Sequence, residues 1–367
     1  MRVGIIGAGT VGIYCAIELL EALPDFIQLD LIYSSDIPPL GVGESTLVNF
    51  PQTLTFGIDY VHSEDKHELN STTKYGIQFK NWNGNKFIPF ASGSHGIQFD
   101  TTRFASFAIP RLKQKYKNFT ERVKTIKEIK SLGKKVSVDG SIYDYVVDCR
   151  GYPKDYSDYI ICDNVYLNAA ITVRSYTTVP EESTYHIAHE HGWMFGIPLL
   201  DRTAWGYLYN SDITSQLEAQ SNLLSILENY QIEFKSSDCR EFSFKNYYAK
   251  SIVNEDGNIF LNGNRALFLE PIQATSLGCY GLINGMIIDA ILNKVYDMDK
   301  YNIVMEEVIK FINLHYYKGS DFDTPFWRYA SESAQKLLQD VDIPNYNWNY
   351  VIDWNPQFRS RMFNNFL

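Results

Sequence analysis

The chain has 367 residues, 45% of them hydrophobic, and carries 33 basic against 43 acidic side chains for a formal net charge of −10. That length suits one large core or two closely joined lobes rather than a string of small modules, and the acidic balance opposes general nucleic-acid binding. Five cysteines, at 15, 149, 162, 239 and 279, show no C-x-x-C pair, which points to a reducing compartment and away from a disulfide framework or a metal site. Charge and glycine interrupt the longest apolar stretches, so no bilayer span is expected, and a strand at residues 3–6 leaves no room for a signal peptide. The expected location is cytoplasmic.

In chain order, residues 2–6 read as a buried strand, 11–23 as a helix and 29–33 as a second strand, a βαβ opening. The two prolines and two glycines within residues 38–44 make that segment a loop. Residues 74–99, rich in Trp, Phe, Asn and Gly, read as strands and turns of a different lobe. Asp100 is placed to cap a helix that starts at Thr101. Residues 135–138 and 143–147 read as two strands around the turn Asp139-Gly140, and residues 166–210 alternate as a broad sheet does. After residue 330 one amphipathic helix precedes a tail rich in Tyr, Asn and Trp.

The strongest local signal is Gly7-x-Gly9-x-x-Gly12 between the first strand and the first helix. Glycines at this junction let a pyrophosphate approach backbone donors and the positive end of the helix, so Gly7, Gly9, Thr10 and Gly12 are predicted to bind a dinucleotide. The acidic residue that usually closes such a site on the ribose is missing: Tyr33, Ser34 and Ser35 stand there, with Asp30 inside the strand and Asp36 beyond it.

Further segments follow in a fixed order. They are Gly41-Val42-Gly43-Glu44-Ser45-Thr46, Thr73-Lys74-Tyr75-Gly76-Ile77-Gln78-Phe79-Lys80-Asn81-Trp82, Asp148-Cys149-Arg150-Gly151, Gly192-Trp193-Met194-Phe195-Gly196-Ile197-Pro198 and Phe268-Leu269-Glu270-Pro271-Ile272-Gln273-Ala274-Thr275, then Leu314-His315-Tyr316 and Asp323-Thr324-Pro325-Phe326-Trp327. Jointly they make the chain similar to the flavin-dependent halogenase family, in its tryptophan-halogenase-like branch, over roughly residues 1–330, with a shortened C-terminal region.

The resemblance implies an α/β fold. A Rossmann-like FAD-binding lobe of the aromatic hydroxylase/flavin monooxygenase type (residues 1–50, 100–165 and 255–300) would pack against a mixed β-sheet and helical substrate lobe (51–99, 166–254 and 301–367). It also implies a reaction: FADH2, O2 and a halide (chloride, bromide or iodide) give hypohalous acid, which migrates to an essential lysine and halogenates an electron-rich indole or phenol. Lys74 matches that lysine, and an amine can serve by hydrogen bonding or as a haloamine. Gln273 stands where the family often has a glutamate; it can accept a hydrogen bond but cannot act as a carboxylate base.

By the same resemblance, Gly43, Glu44, Ser45, Asn264 and Pro271 join the glycine loop on the cofactor side, and Thr275 and Ser276 offer backbone donors to the halide. Trp193, Phe195, Ile197 and Pro198 match the segment beside the tunnel between flavin and substrate, although alternation alone also fits an ordinary buried strand. No nicotinamide-reducing machinery is evident, so a separate flavin reductase is the expected partner, with no nucleic acid, no membrane, and a homo-oligomer left open. The competing readings are a flavin-dependent aromatic monooxygenase, which needs neither Lys74 nor a halide, and a noncatalytic flavin-binding homologue, suggested by Tyr33, Asn264, Gln273 and Ser276.

Overall fold

Residues 1–37, 44–176, 179–180, 182–235, 238–343 and 345 are described by a computed structural model of the chain. Five parallel strands lie in the order Ile259–Leu261, Tyr145–Asp148, Arg2–Ile6, Gln28–Tyr33, Phe119–Val123. Their inner members are short apolar runs, as strands covered on both faces must be. Helix Thr10–Ala22 follows the first strand and buries Ile13, Cys15, Ala16, Ile17 and Leu19. Asp30, the acid within the second strand, accepts from Arg2, from Arg122 at 2.5 Å and from Tyr143 at 2.8 Å, so it belongs to the sheet and not to a ribose site.

The glycine loop is held by contact distances. Gly7 has φ +110°, and a Cβ on it would meet the Cys149 carbonyl oxygen at 2.9 Å. A Cβ on Gly12 would lie 1.9 Å from the Gly7 carbonyl oxygen, a distance no rotamer relieves. Gly12→Ala is therefore expected to push the helix off the loop, lowering stability by ~2–4 kcal/mol, with thermal unfolding as the measurement. A wild-type melting temperature would contradict this packing.

A seven-stranded sheet forms the second layer, in the order Arg240–Ser243, Ala169–Ser175, Thr203–Tyr209, Gly192–Pro198, Ser183–His189, Gly76–Lys80, Lys86–Pro89. Every pairing is antiparallel except that of Ser183–His189 with Gly76–Lys80. Both faces are covered. Trp193, Phe195 and Ile197 enter the main core, while Met194, Trp205 and Tyr207 join a second cluster with Ala219, Leu223 and Leu227 of helix Gln216–Asn229. Alternation of period two puts successive residues on opposite faces. The broad sheet expected for residues 166–210 is present.

Asp100 caps helix Thr101–Lys115 as expected, accepting from the Thr102 amide at 2.9 Å. The reading of residues 135–147 needs correction. The turn Asp139-Gly140 joins Val136–Val138 to Ser141–Tyr143, and Tyr145–Asp148 is a separate strand of the parallel sheet, in register with residues 3–6. Asp144 marks the switch, its carboxylate accepting from the Arg2 amide at 2.7 Å.

The apolar stretches are longer than expected in one place, since residues 272–293 are long and apolar enough to cross a bilayer by length and composition. Here that segment supplies helix Thr275–Asn293, which packs against Thr10–Ala22 and buries Ile283, Ile287, Ala290 and Ile291. The amphipathic helix expected near residue 330 is Pro325–Leu338.

Candidate active site

A three-stranded sheet of Glu44–Ser45, Gly96–Phe99 and Thr72–Lys74 includes the central element of the site. Lys74 ends its strand with its side chain 1% exposed. Its Nζ donates to Ser45 Oγ at 2.9 Å and lies 5.5 Å from the centre of the Phe90 ring. Burial, with no carboxylate partner among the described residues, lowers the amine to about 7. A lysine in that range spends much of its time neutral at physiological pH, with a lone pair available for chemistry.

Glu44 and Ser45 are neighbours facing opposite ways. Glu44, half-buried, is raised to about 7 by burial, opposed by a hydrogen bond from Thr10 of the glycine loop. Ser45 turns to Lys74 and to Thr184 Oγ1, 2.5 Å away. Sequence placed Ser45 on the cofactor side; its hydroxyl is committed to the lysine. Two residues thus separate the glycine loop from the amine. Gly43, predicted alongside them, lies outside the described residues, as does the loop of residues 38–43.

The glycine loop suits a dinucleotide. A Cβ on Gly9 would meet nothing within 4 Å, the open counterpart to the crowding at Gly7 and Gly12. The helix that starts at Thr10 has neither a side-chain cap nor an acidic residue in its first turn. Uncapped first-turn N–H groups at the positive end of a helix are what a pyrophosphate needs. Asn264 lies close by, since a Cβ on Gly263 would come within 3.2 Å of Val11. The Asn264 Oδ1 accepts from Tyr280 at 3.0 Å. Where an acid would normally hold the ribose, Tyr33 donates to Glu121 at 2.6 Å. Arg150 forks onto Asp148 with two contacts of 2.9 Å, so its charge is already matched.

Pro271 precedes a tight turn in which Gln273 (φ 53°) and Ala274 (φ 59°) both adopt the left-handed conformation. Two consecutive non-glycine residues there store strain of order 1–3 kcal/mol each. The turn delivers Thr275 and Ser276 to the start of helix Thr275–Asn293, again without a side-chain cap. The Thr275 hydroxyl donates to the Ile272 carbonyl, and Ser276 Oγ donates to the Leu269 carbonyl at 3.4 Å.

Gln273 is buried against His315, with 2.6 Å between Gln273 Nε2 and His315 Nε2. Because His315 Nδ1 lies 2.8 Å from the Phe311 carbonyl, which only accepts, Nδ1 carries the proton and Nε2 accepts from Gln273. Burial lowers His315 to about 4 and keeps it neutral. Its ring stacks on Phe79, and Phe79 meets His186 edge-on at 5.1 Å. His186 is buried next to Lys74 and Trp193 and held well below the usual imidazole range, chiefly by burial.

Trp193 donates to the Tyr316 hydroxyl at 3.0 Å, and Tyr316 donates to Glu270 at 2.7 Å. Burial raises the Glu270 carboxyl to about 8, so at neutral pH it is largely a protonated acid. Trp193 and its strand neighbours Phe195, Ile197 and Pro198 are all buried, which fits a tunnel wall and an ordinary buried strand equally.

His186, Thr184, Gln98 and Glu270 had not been singled out from sequence. Glu270 and His315 sat inside matched segments and were within reach of recognition. Nothing in sequence spacing marks Thr184 or Gln98, because strand pairing alone brings them to the lysine.

A parallel sheet that opens on a glycine loop, packed with a mixed sheet and helices, is the architecture of the flavin-dependent halogenases and aromatic monooxygenases. The chain belongs to the tryptophan halogenase family, whose sequence profile matches residues 2–141 and 144–347. Curated relatives include the tryptophan 6-halogenase ThaL of Streptomyces albogriseolus, 23% identical over 423 residues that cover 89% of this chain and 78% of ThaL. The tryptophan 7-halogenase RebH of Lentzea aerocolonigenes is 23% identical over 93% of this chain and 81% of its own length. Among solved structures, a tryptophan halogenase from Shewanella frigidimarina superposes with a TM-score of 0.81 at 18% identity, covering 100% of this chain and 88% of its own. BrvH, a flavin-dependent halogenase from Brevundimonas, gives 0.79 at 18% identity over 100% and 89%. At such identities the superpositions speak for the fold.

Proposed function

We propose that the protein halogenates an electron-rich aromatic, an indole or phenol, and that Lys74 carries the halogen to it. The observation that supports this most directly is the buried Lys74 amine, unpaired with any carboxylate among the described residues and two residues from the glycine loop. Reduced FAD bound at the loop, with O2 and a halide, supplies hypohalous acid. The glycine loop, Glu44, Asn264 and Pro271 would hold the cofactor, and the first-turn N–H groups of Thr275 and Ser276 would hold the halide. The Trp193 strand shields the passage from water. At Lys74 the neutral amine displaces hydroxide from hypohalous acid, giving a haloamine and, after proton transfer, water. The halogen then passes as a cation equivalent to a ring carbon, which loses its proton to solvent.

Gln273 has no charge with which to stabilise the cationic ring, so an activated phenol or indole is the expected substrate. The cytoplasm, a separate flavin reductase and the division into a cofactor lobe and a substrate lobe complete this reading.

The test is an aerobic assay with an added reductase, FAD, each halide in turn and a mixed phenol–indole panel, scored by isotope pattern in mass spectrometry. Halide-dependent incorporation is expected, with a rate that rises through pH of about 7 as Lys74 loses its proton and levels above it. Hydroxylated product that forms without halide would replace this reading with a monooxygenase.

A further inference from the structure

Behind Lys74 runs a buried line of polar groups whose direction can be worked out from its far end. The Pro198 carbonyl can only accept, and Thr72 Oγ1 donates to it at 2.7 Å. Thr72 has then spent its single proton, so it accepts from Gln98, whose Nε2 stands 3.1 Å away. That orientation turns Gln98 Oε1 toward Thr184, which donates to it at 3.0 Å. Thr184 has no second proton for Ser45, 2.5 Å away, so Ser45 donates to Thr184. Ser45 is left with lone pairs alone to offer Lys74, whose Nζ donates to it at 2.9 Å.

We propose that Ser45, Thr184 and Gln98 form a one-way hydrogen-bond array that bars Ser45 from donating to Lys74, so that the amine keeps its lone pair free for the halogen. Ser45 and Thr184 are thereby positioning residues. The proposal rests on Lys74 being the halogen carrier. A serine with an uncommitted proton would rotate it onto the neutral amine and block the nucleophile; the array removes that option by using the proton elsewhere. Every member is buried or half-buried, so water does not readily substitute for a missing partner. His186, on the same strand as Thr184, is the titratable group whose protonation Lys74 opposes, and it is neutral.

Thr184→Val keeps the branched shape and deletes the acceptor. The freed Ser45 proton then turns to Lys74, stabilising the neutral amine. Two readouts are expected: halogenated product per turnover falls roughly 10-fold with peroxide release rising to match and KM for the aromatic unchanged, and the Lys74 titration followed by NMR of lysine labelled at Cε moves to lower pH by roughly 0.5 or more. Thr184→Ser, which retains the hydroxyl, is expected to restore the wild-type titration, and near-ultraviolet circular dichroism checks that each variant is folded.

The NMR measurement needs no halide, substrate or flavin. A shifted titration in a protein that halogenates nothing would uphold the array and sink the halogen-carrier role. A folded Thr184→Val protein with wild-type titration and a wild-type product-to-peroxide ratio would overturn the array itself.

Discussion

Lys74→Met is expected to abolish halogenated product, by roughly 10³-fold or more, while the protein becomes more stable. The two effects share one cause. In the unfolded chain Lys74 is charged and hydrated; in the folded chain burial lowers its amine from 10.5 to about 7. A group whose folded value is depressed contributes stability that is complete above its unfolded value and is lost as pH falls through the folded one. Between about 7 and 10.5 stability therefore rises with pH, and below 7 the native state carries the full cost of a buried cation, ~4–5 kcal/mol.

Methionine removes that cost and forfeits the hydrogen bond to Ser45, worth ~1 kcal/mol. The melting temperature at pH 6 should rise by a few degrees, on the order of 3 °C or more, with reduced-FAD oxidation and peroxide release continuing. Loss of both product and stability would mean that Lys74 supports the fold instead of the chemistry.

Glu270→Gln should change the protein's response to pH more than its activity. The carboxyl rises from 4.5 to about 8 because burial outweighs its hydrogen bonds from Tyr316 and Trp193. A raised folded value means that its contribution is fully present below 4.5 and is lost as pH rises through about 8, a change of ~4–5 kcal/mol. Glutamine resembles the protonated acid: its oxygen still accepts from Tyr316, and its amide stands where the acid proton would be. The variant should match the wild type near pH 5 and exceed it by several degrees at pH 9. Unfolding curves run at pH 5, 7 and 9 decide it, and two parallel profiles would show that Glu270 is already ionised in the native state.

Much of this molecule could be read before folding. The run Arg2–Ile6 followed by Gly7, Gly9 and Gly12 has one economical use, since short apolar strands and glycine junctions obey local rules of backbone and periodicity. Asp100 before a helix and the alternation at Gly192–Pro198 were legible for the same reason. Residues 143–147 misled because a hairpin strand and a parallel strand meet there across a single residue, Asp144, and both are apolar. Residues 272–293 show the limit of composition: a central core helix is as apolar as a spanning one, and its packing against Thr10–Ala22 tells them apart.

Sequence alone determined which residues are chemically capable, a lysine at 74, an uncharged amide at 273 and glycines where a phosphate must approach, because those are properties of side chains and of local backbone. Tertiary structure decided their protonation and direction. Thr184 lies 139 residues from Ser45, and Gln273 lies 42 from His315, yet strand register and helix packing bring each pair into hydrogen-bond range. Removal from water then sets Lys74 near 7 and Glu270 near 8, and a carbonyl that can only accept fixes which way the protons around the lysine point. Burial and bond polarity come from what surrounds a group in space, and the order of residues along the chain does not record that.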